Sequence, residues 1–445
     1  MARRLFGTDG VRGVAGEFLT AELTLSLARA ATLRAEAERP RVLVIRDTRE
    51  SGEMLEAAVA AGVAAAGGDA LLGGVLPTPA APLLIGRYGF DLAVVLSASH
   101  NPFADNGVKF FGHDGDKLSD AVEEEIERLL DASVPNPAAV GRVTHLHGTT
   151  EDYLRALHAR FANLDLSGRR ILLDCANGAT FQAAPEIFRR LGADVTVLHD
   201  GPDGRNINAG CGSTHIESLA ETIQQGGYHA GFAFDGDGDR VLAVDRTGAI
   251  VDGDELIALA ALHLRSRDRL PGNGVAVTVM TNYGFHTAMA DAGVEVATTS
   301  VGDRYVLEAL RERGWSLGGE QSGHIVELGF APSGDGIASA LLTLEALDGS
   351  DLAERHAMRK LPQRLVNVRL SDRAALERAA GDQAMLDGIA REERELEGRG
   401  RVLVRPSGTE PLLRVMVEAP SEQEADAACG RLVALAETVA GNAAA

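Results

Sequence analysis

Four short polar loops in this chain carry residue types that do chemistry. The first is Ser97-Ala98-Ser99-His100-Asn101-Pro102, which follows the apolar run Leu92–Leu96. Asn-Pro turns the backbone out of regular structure, because a residue before proline avoids the helical region. A small hydroxyl at the exit of a buried strand is where α/β proteins place nucleophiles and ligands, although a single loop serine is ordinarily a turn residue. The second loop, Asp235-Gly236-Asp237-Gly238-Asp239-Arg240, alternates three carboxylates with two glycines. Packed this closely the carboxylates repel one another unless a cation neutralises them. Oxygen donors without His or Cys favour Mg²⁺ or a similar hard ion. A calcium-binding EF-hand loop is excluded: its sixth place would be Gly and its twelfth Glu, whereas Arg240 and Arg246 stand there. Three carboxylates leave an octahedral ion partly open, and a phosphate is the natural additional ligand, with Arg240 beside it as a bidentate fork.

The third loop, Gly318 to His324, offers the carboxylate of Glu320, the amide of Gln321, the hydroxyl of Ser322 and the imidazole of His324. Glu320 and Ser322 suit sugar hydroxyls, and His324 suits proton transfer near neutral pH. The fourth, Arg405-Pro406-Ser407-Gly408-Thr409-Glu410-Pro411, followed by Arg414, joins hydroxyls and backbone N–H groups to two arginines as an anion cradle. No Walker motif and no GxGxxG fingerprint occurs. Two further cations are candidates: Arg12, among the glycines of Phe6-Gly7-Thr8-Asp9-Gly10-Val11-Arg12-Gly13, and Lys109, soon after Ser99 in sequence.

Strand-like and helix-like segments alternate ahead of each of the first three loops. Buried strands are expected at 41–45, 170–174 and 275–279. Helices are expected at 53–66 and 181–191, with a third ending near Gly293. One α/β unit is thus used three times, each copy delivering a polar loop. Ser133–Pro137 reads as a linker and 248–253 as a turn. Beyond Pro362 strands at 365–370, 401–405 and 412–418 with intervening helices indicate a smaller α+β domain. The domain boundaries follow as 1–148, 149–250, 251–364 and 365–445. A length of 445 residues agrees with several cores rather than one. The net charge of −21 argues against nucleic-acid and anionic-membrane partners but leaves room for a small phosphorylated substrate held by local arginines. Three scattered cysteines, no apolar run long enough to span a bilayer and no signal-peptide pattern point to the cytoplasm.

The ordered motifs SASHNP, DGDGDR, GEQSGH and RPSGTEP, with FGTDGVRG at the start, resemble the α-D-phosphohexomutases along essentially the whole chain. Ser97 stands where that family commonly has Thr. The resemblance implies three similar α/β domains with mixed sheets plus a smaller C-terminal α+β domain around a central cleft. It implies that Ser99, phosphorylated, gives and takes the phosphoryl group. Asp235, Asp237, Asp239 and the Ser99 phosphate would bind one Mg²⁺. Glu320 and Ser322 would read sugar hydroxyls, and Arg405, Ser407, Gly408, Thr409 and Arg414 would hold the phosphate not being transferred. Lys109 and His324 match general acid/base positions, and His100, Arg12 and Arg240 lie near the phosphoserine. Gln321 points to the branch that interconverts glucosamine 6-phosphate and glucosamine 1-phosphate for cell-wall precursors, through a 1,6-bisphosphate. A sibling mutase acting on mannose or glucose phosphates, a serine-dependent phosphatase and an inactive sugar-phosphate binder are the competing expectations. A homodimer is also implied.

Overall fold

A computed structural model of the chain describes residues 5–7, 9–130, 139–407 and 410–442; the linker reading at Ser133–Pro137 falls outside them. The chain divides into two compact units, one of Met1–Met280 and Val294–Arg355, the other of Thr281–Gly293 and His356–Ala445.

The first unit holds three sheets. The first contains β1 (Val11–Val14), β2 (Arg41–Arg46), β3 (Asp69–Val75), β4 (Leu92–Leu96), β5 (Asp105–Gly112) and β6 (Val143–His145), in the order β1-β5-β4-β2-β3-β6. The second contains β7 (Arg170–Asp174), β8 (Asp194–Leu198), β9 (Ala230–Phe234), β10 (Val241–Asp245) and β11 (Ile250–Val251), in the order β11-β10-β9-β7-β8. The third contains β12 (Gly274–Thr278), β13 (Glu295–Thr299), β14 (Leu317–Gly319) and β15 (Ile325–Glu327), in the order β13-β12-β14-β15.

The repeat is therefore topological. In each copy a first strand pairs in parallel with a second on one side and a third on the other. The third strand then runs through a polar loop into an antiparallel partner. Continuous apolar stretches such as Val42–Ile45 and Leu92–Leu96 are buried on both faces, as central parallel strands require. Each fully buried Val, Leu or Phe among them contributes about 1.5–3 kcal/mol. The helix Ala21–Arg34 is capped by the Thr20 hydroxyl, which accepts from the Leu23 N–H. It packs closely on the helix Gly52–Ala65 at Gly62, where a Cβ would come within 2.3 Å of the Leu25 carbonyl oxygen. The stretch expected as a turn at 248–253 instead includes β11, because Ala243 and Val244 of β10 offer it a free edge.

The helix Gly336–Leu347 begins on a buried cap. The Asp335 carboxylate accepts from the Ala338 N–H at 2.9 Å and from the Tyr153 hydroxyl at 3.0 Å. Burial outweighs these donors and lifts its pKa from 3.8 to about 6. The folded form thus holds this proton more tightly than the unfolded chain. The associated stability is complete below about pH 4 and is lost as pH rises through 6. Asp335→Asn keeps a good cap and removes the ionisation, so it is expected to raise stability at pH 8 by at most about 3 kcal/mol, with no gain at pH 4. Urea unfolding at the two pH values checks this; an equal change at both would refute it.

The second unit contains β16 (Gln363–Arg369), β17 (Arg401–Pro406) and β18 (Leu412–Glu418) in an antiparallel sheet of order β16-β18-β17. Helices Tyr283–Asp291, Arg373–Gly381, Gln383–Leu396 and Glu422–Asn442 also belong to this α+β unit. Leu376, Met385, Leu413, Val415 and Leu432 lie in its core.

Candidate active site

The first three loops leave the C-terminal ends of β4, β9 and β14, where a strand can expose polar groups without losing its ladder. Ser99 is buried and adopts φ = 51°, a left-handed conformation unusual for serine. Its Oγ donates to Asp235 Oδ2 at 2.5 Å and lies 3.3 Å from His100 Nδ1. The nucleophile candidate and the carboxylate loop, far apart in sequence, thus form one site. Gly236 permits this approach: a Cβ there would stand 2.6 Å from the Ser99 carbonyl oxygen.

Asp235, Asp237 and Asp239 are all buried, with one oxygen of each lying within 4.8 Å of the others. Asp237 Oδ1 and Asp239 Oδ1 are buried atoms without a hydrogen-bond partner among the described residues. Burial, then repulsion from Asp239 and Asp237, raises the Asp235 pKa well above the usual carboxylate range. Orphaned carboxylate oxygens and mutual repulsion in an all-oxygen donor set fit a hard divalent cation.

Cations surround these acids. Lys109 is buried, its Nζ donating to Asp237 Oδ2 at 2.7 Å and standing 2.9 Å from Asp9 Oδ2. Burial favours the neutral amine, but Asp237, Asp9 and Asp239 outweigh it and hold Lys109 as ammonium. A surface lysine is thus excluded. Arg12 pairs with Asp9, and Lys117 pairs with both Asp9 and Asp303. The Arg240 backbone N–H donates to Asp235 Oδ1 at 3.1 Å, and its Nε is 3.8 Å from Asp239 Oδ1. Burial, then the charges of Arg240 and Arg12, lowers the His100 pKa, so both arginines act on the Ser99 loop.

His324 is buried with Nδ1 3.6 Å from Asp239 Oδ2, while its Nε2 accepts from the Gly334 N–H at 3.1 Å. A backbone N–H can only donate, so Nε2 is the unprotonated nitrogen and Nδ1–H faces Asp239. The third loop is tied to the second by a bridge between Arg240 and His324. Glu320 is half-buried and accepts the Gly302 N–H at 3.0 Å, and Ser322 is exposed. The Gln321 amide donates to Asp252 Oδ2 at 3.2 Å.

In the second unit, Arg405 and Arg414 are direct cross-strand partners on β17 and β18. Burial, then Arg414, depresses the Arg405 pKa, and the buried Nε of Arg414 makes no hydrogen bond among the described residues. Opposed like charges cost stability unless an anion sits between them. Ser407 Oγ accepts from the Glu410 N–H at 3.4 Å. Gly408 and Thr409 lie outside the described residues.

Several residues escaped the sequence reading. Arg49 is wholly buried. Its Nε donates to Asp47 Oδ2 at 2.9 Å, and its terminal nitrogens donate to the carbonyls of Ser99 (2.9 Å), Asn101 (2.8 Å), Asp105 (2.9 Å) and Pro102. Asp47 Oδ2 accepts from Ser97 Oγ at 2.6 Å, and Ser97 Oγ accepts from the Ser99 N–H at 2.9 Å. The Asn208 amide reaches the same Ser99 carbonyl at 2.9 Å. These groups hold Ser99 in its left-handed conformation. The one available signal was position: Asp47-Thr48-Arg49 leaves the C-terminal end of β2, beside the exit of β4. Thr78, whose Oγ1 donates to Asp237 Oδ2 at 2.7 Å, likewise follows β3.

The chain matches the four domains described for phosphoglucomutase/phosphomannomutase: alpha/beta/alpha domains I (residues 3–135), II (151–248) and III (252–365), and the C-terminal domain (365–435). It is 51% identical over 431 residues to a phosphoglucosamine mutase of Moorella thermoacetica, with 95% of this chain and 96% of the relative covered. It is 50% identical over 439 residues to one of Thermobifida fusca, with 96% and 97% covered. Among solved structures it is similar to a phosphoglucomutase/phosphomannomutase family protein of Burkholderia thailandensis (TM-score 0.82, 24% identity, 99% and 97% covered). It is also similar in fold to Aspergillus fumigatus N-acetylphosphoglucosamine mutase in complex with GlcNAc-6P and magnesium (TM-score 0.69, 18% identity, 98% and 96% covered).

Proposed function

This chain belongs to the phosphoglucomutase/phosphomannomutase family, the α-D-phosphohexomutases, and from that premise we propose that it interconverts glucosamine 6-phosphate and glucosamine 1-phosphate. The observation that carries this reading is Ser99 Oγ on Asp235, inside a buried three-carboxylate cluster, in a chain about half identical to phosphoglucosamine mutases. The division at residues 148, 250 and 364 is part of the proposal, supported by the ranges over which the four family domains match.

Phosphorylated Ser99 donates to O1 of glucosamine 6-phosphate. The resulting glucosamine 1,6-bisphosphate turns over and returns its 6-phosphoryl group to Ser99 Oγ, leaving glucosamine 1-phosphate. Asp235, Asp237 and Asp239, with the Ser99 phosphate, are the residues that would hold Mg²⁺. Bound there, the ion supplies positive charge against the transferring phosphoryl oxygens. The remaining work is positioning and charge. Arg12 and Arg240 face the phosphoserine loop, His100 lies beside Ser99, and Glu320 and Ser322 orient the sugar. The hydroxyl proton passes to Lys109 or His324; Lys109, held as an ammonium by Asp237 and Asp9, can accept it only after giving up its own proton to solvent. Arg405, Ser407, Gly408, Thr409 and Arg414 hold the other phosphate, a site simple hydrolysis would not need. The reading extends to a cytoplasmic homodimer. Among the described residues no helix is long and apolar enough to cross a membrane.

A coupled assay tests the substrate: kcat/KM for glucosamine 6-phosphate should exceed that for glucose and mannose 1-phosphates. Preference for either neutral sugar, or release of inorganic phosphate in place of isomer, overturns the reading. Arg414→Ala removes a charge-assisted contact worth about 1.5–3 kcal/mol and should lower kcat/KM by roughly 10- to 100-fold. An unchanged kcat/KM in steady-state kinetics would remove the fourth loop from the site.

A further inference from the structure

A second cluster of ligand-type side chains lies outside the three-aspartate site, at the C-terminal rim of the second sheet. Asp174 ends β7, and His199 directly follows β8. The two strands run in parallel with Asp174 opposite Leu198, so the carboxylate and the imidazole meet at one edge. Cys211 enters from the segment that follows. One carboxylate oxygen, one ring nitrogen and the sulfur lie within 4.8 Å of one another.

Each donor is already oriented. The Asp174 carboxylate is fully buried; its Oδ1 accepts the Ala176 N–H and its Oδ2 the Gly212 N–H, both at 2.9 Å. These bonds aim the group and leave lone pairs free. His199 Nδ1 lies 3.1 Å from Asp174 Oδ2, yet it is a buried atom without a well-formed hydrogen bond among the described residues. The Asn177 amide donates to Cys211 Sγ at 3.9 Å, the kind of contact that steadies a sulfur ligand. A divalent cation at this point would bridge the buried Asp174 carboxylate and the His199 Nδ1 that lacks a well-formed hydrogen bond.

We propose that Asp174, His199 and Cys211 form a binding site for one divalent cation of the Zn²⁺ class, distinct from the Mg²⁺ site. The donor set decides the class: one sulfur, one nitrogen and one oxygen suit a borderline-soft tetrahedral ion, whereas Mg²⁺ requires oxygen ligands. His199 is 35% exposed, so the cation enters past the imidazole and the fourth position is open to water. Burial, then Asp174, pushes the Cys211 thiol up to about 12, so without the cation the sulfur is protonated. On binding, the S–H bond breaks, its proton goes to solvent and the thiolate pair forms the metal–sulfur bond; His199 binds as neutral imidazole. The consequence reaches Ser99. Asn208 donates its backbone N–H to the Ala176 carbonyl and its side-chain amide to the Ser99 carbonyl, both at 2.9 Å. A cation joining Asp174 to Cys211 steadies the segment that carries Asn208.

The test is Co²⁺ titration of the chelator-treated full chain in excess Mg²⁺, which blocks the three-aspartate site. The expected result is one equivalent bound, with tetrahedral d–d bands and a thiolate-to-Co²⁺ charge-transfer band. Cys211→Ser should lose the charge-transfer band, and His199→Ala should weaken binding by about 10-fold or more. Absence of the band in the unmodified chain, or its persistence in Cys211→Ser, overturns the proposal. If Cys211→Ser does not fold, the partly exposed His199→Ala decides: weakened binding supports the site and unchanged binding overturns it.

Discussion

Ser99→Ala is expected to lower mutase turnover by roughly 10⁴-fold or more, on the scale of removing the nucleophile from other covalent-catalysis enzymes. The substitution deletes one oxygen, and with it the atom proposed to carry the phosphoryl group between the two half-reactions. The site around it should survive. The loop is held mainly through backbone groups, by Arg49 and Asn208 at the Ser99 carbonyl and by Ser97 at the Ser99 N–H. Loss of the hydroxyl also frees Asp235 Oδ2. The variant should therefore keep its unfolding midpoint and its phosphosugar binding while losing turnover. Full activity without added sugar bisphosphate would show that no phosphoserine is involved.

Arg49→Ala carries the second large effect, and it falls on stability as well as on activity. The guanidinium is fully buried, donates to four backbone carbonyls, and is the ion-pair partner of the equally buried Asp47. Removing one member of a buried pair leaves an uncompensated charge and costs about 3–5 kcal/mol. Burial already raises the Asp47 pKa against the opposing pull of Arg49, so the carboxyl would protonate in the variant. Lys is a poor replacement because one ammonium cannot match a planar fork that serves Asp47 and four carbonyls. Ser97→Ala isolates the catalytic part. It deletes only the hydroxyl linking Asp47 to the Ser99 N–H, so Ser99 should relax from its left-handed conformation with kcat falling about 10-fold and KM little changed. Ser97→Thr should restore kcat. A lower unfolding midpoint with single-turnover phosphoryl transfer unchanged would make the relay structural alone.

The contrast between Ser99 and Arg49 shows what could be read in advance. The polar loops announced themselves because their residue types are costly in ordinary turns: three carboxylates within five residues repel one another, and two arginines flanking Ser-Gly-Thr invite an anion. The strands leading to them were legible from continuous apolar runs, which only doubly covered sheets produce. Lys109 and Arg49 were harder. A lone lysine or arginine in sequence is most often solvated, and burial of either depends on partners far away in the chain. Lys109 finds Asp237 and Asp9; Arg49 finds carbonyls fifty or more residues on. The cluster of Asp174, His199 and Cys211 was invisible for the same reason, since no metal-type spacing joins them along the chain.

By itself, then, the sequence determined the local chemistry: which loops carry hydroxyl, carboxylate or arginine, and that three copies of one α/β unit present them. Only the tertiary structure decided that Ser99 Oγ meets Asp235, that Lys109 is a buried ammonium rather than a surface group, and that Arg49 clamps the Ser99 loop in a conformation serine rarely adopts. The physical reason is that composition and periodicity report interactions between neighbours in the chain. Desolvation, charge pairing and backbone strain are set by groups that meet only after the parallel strands have aligned their ends.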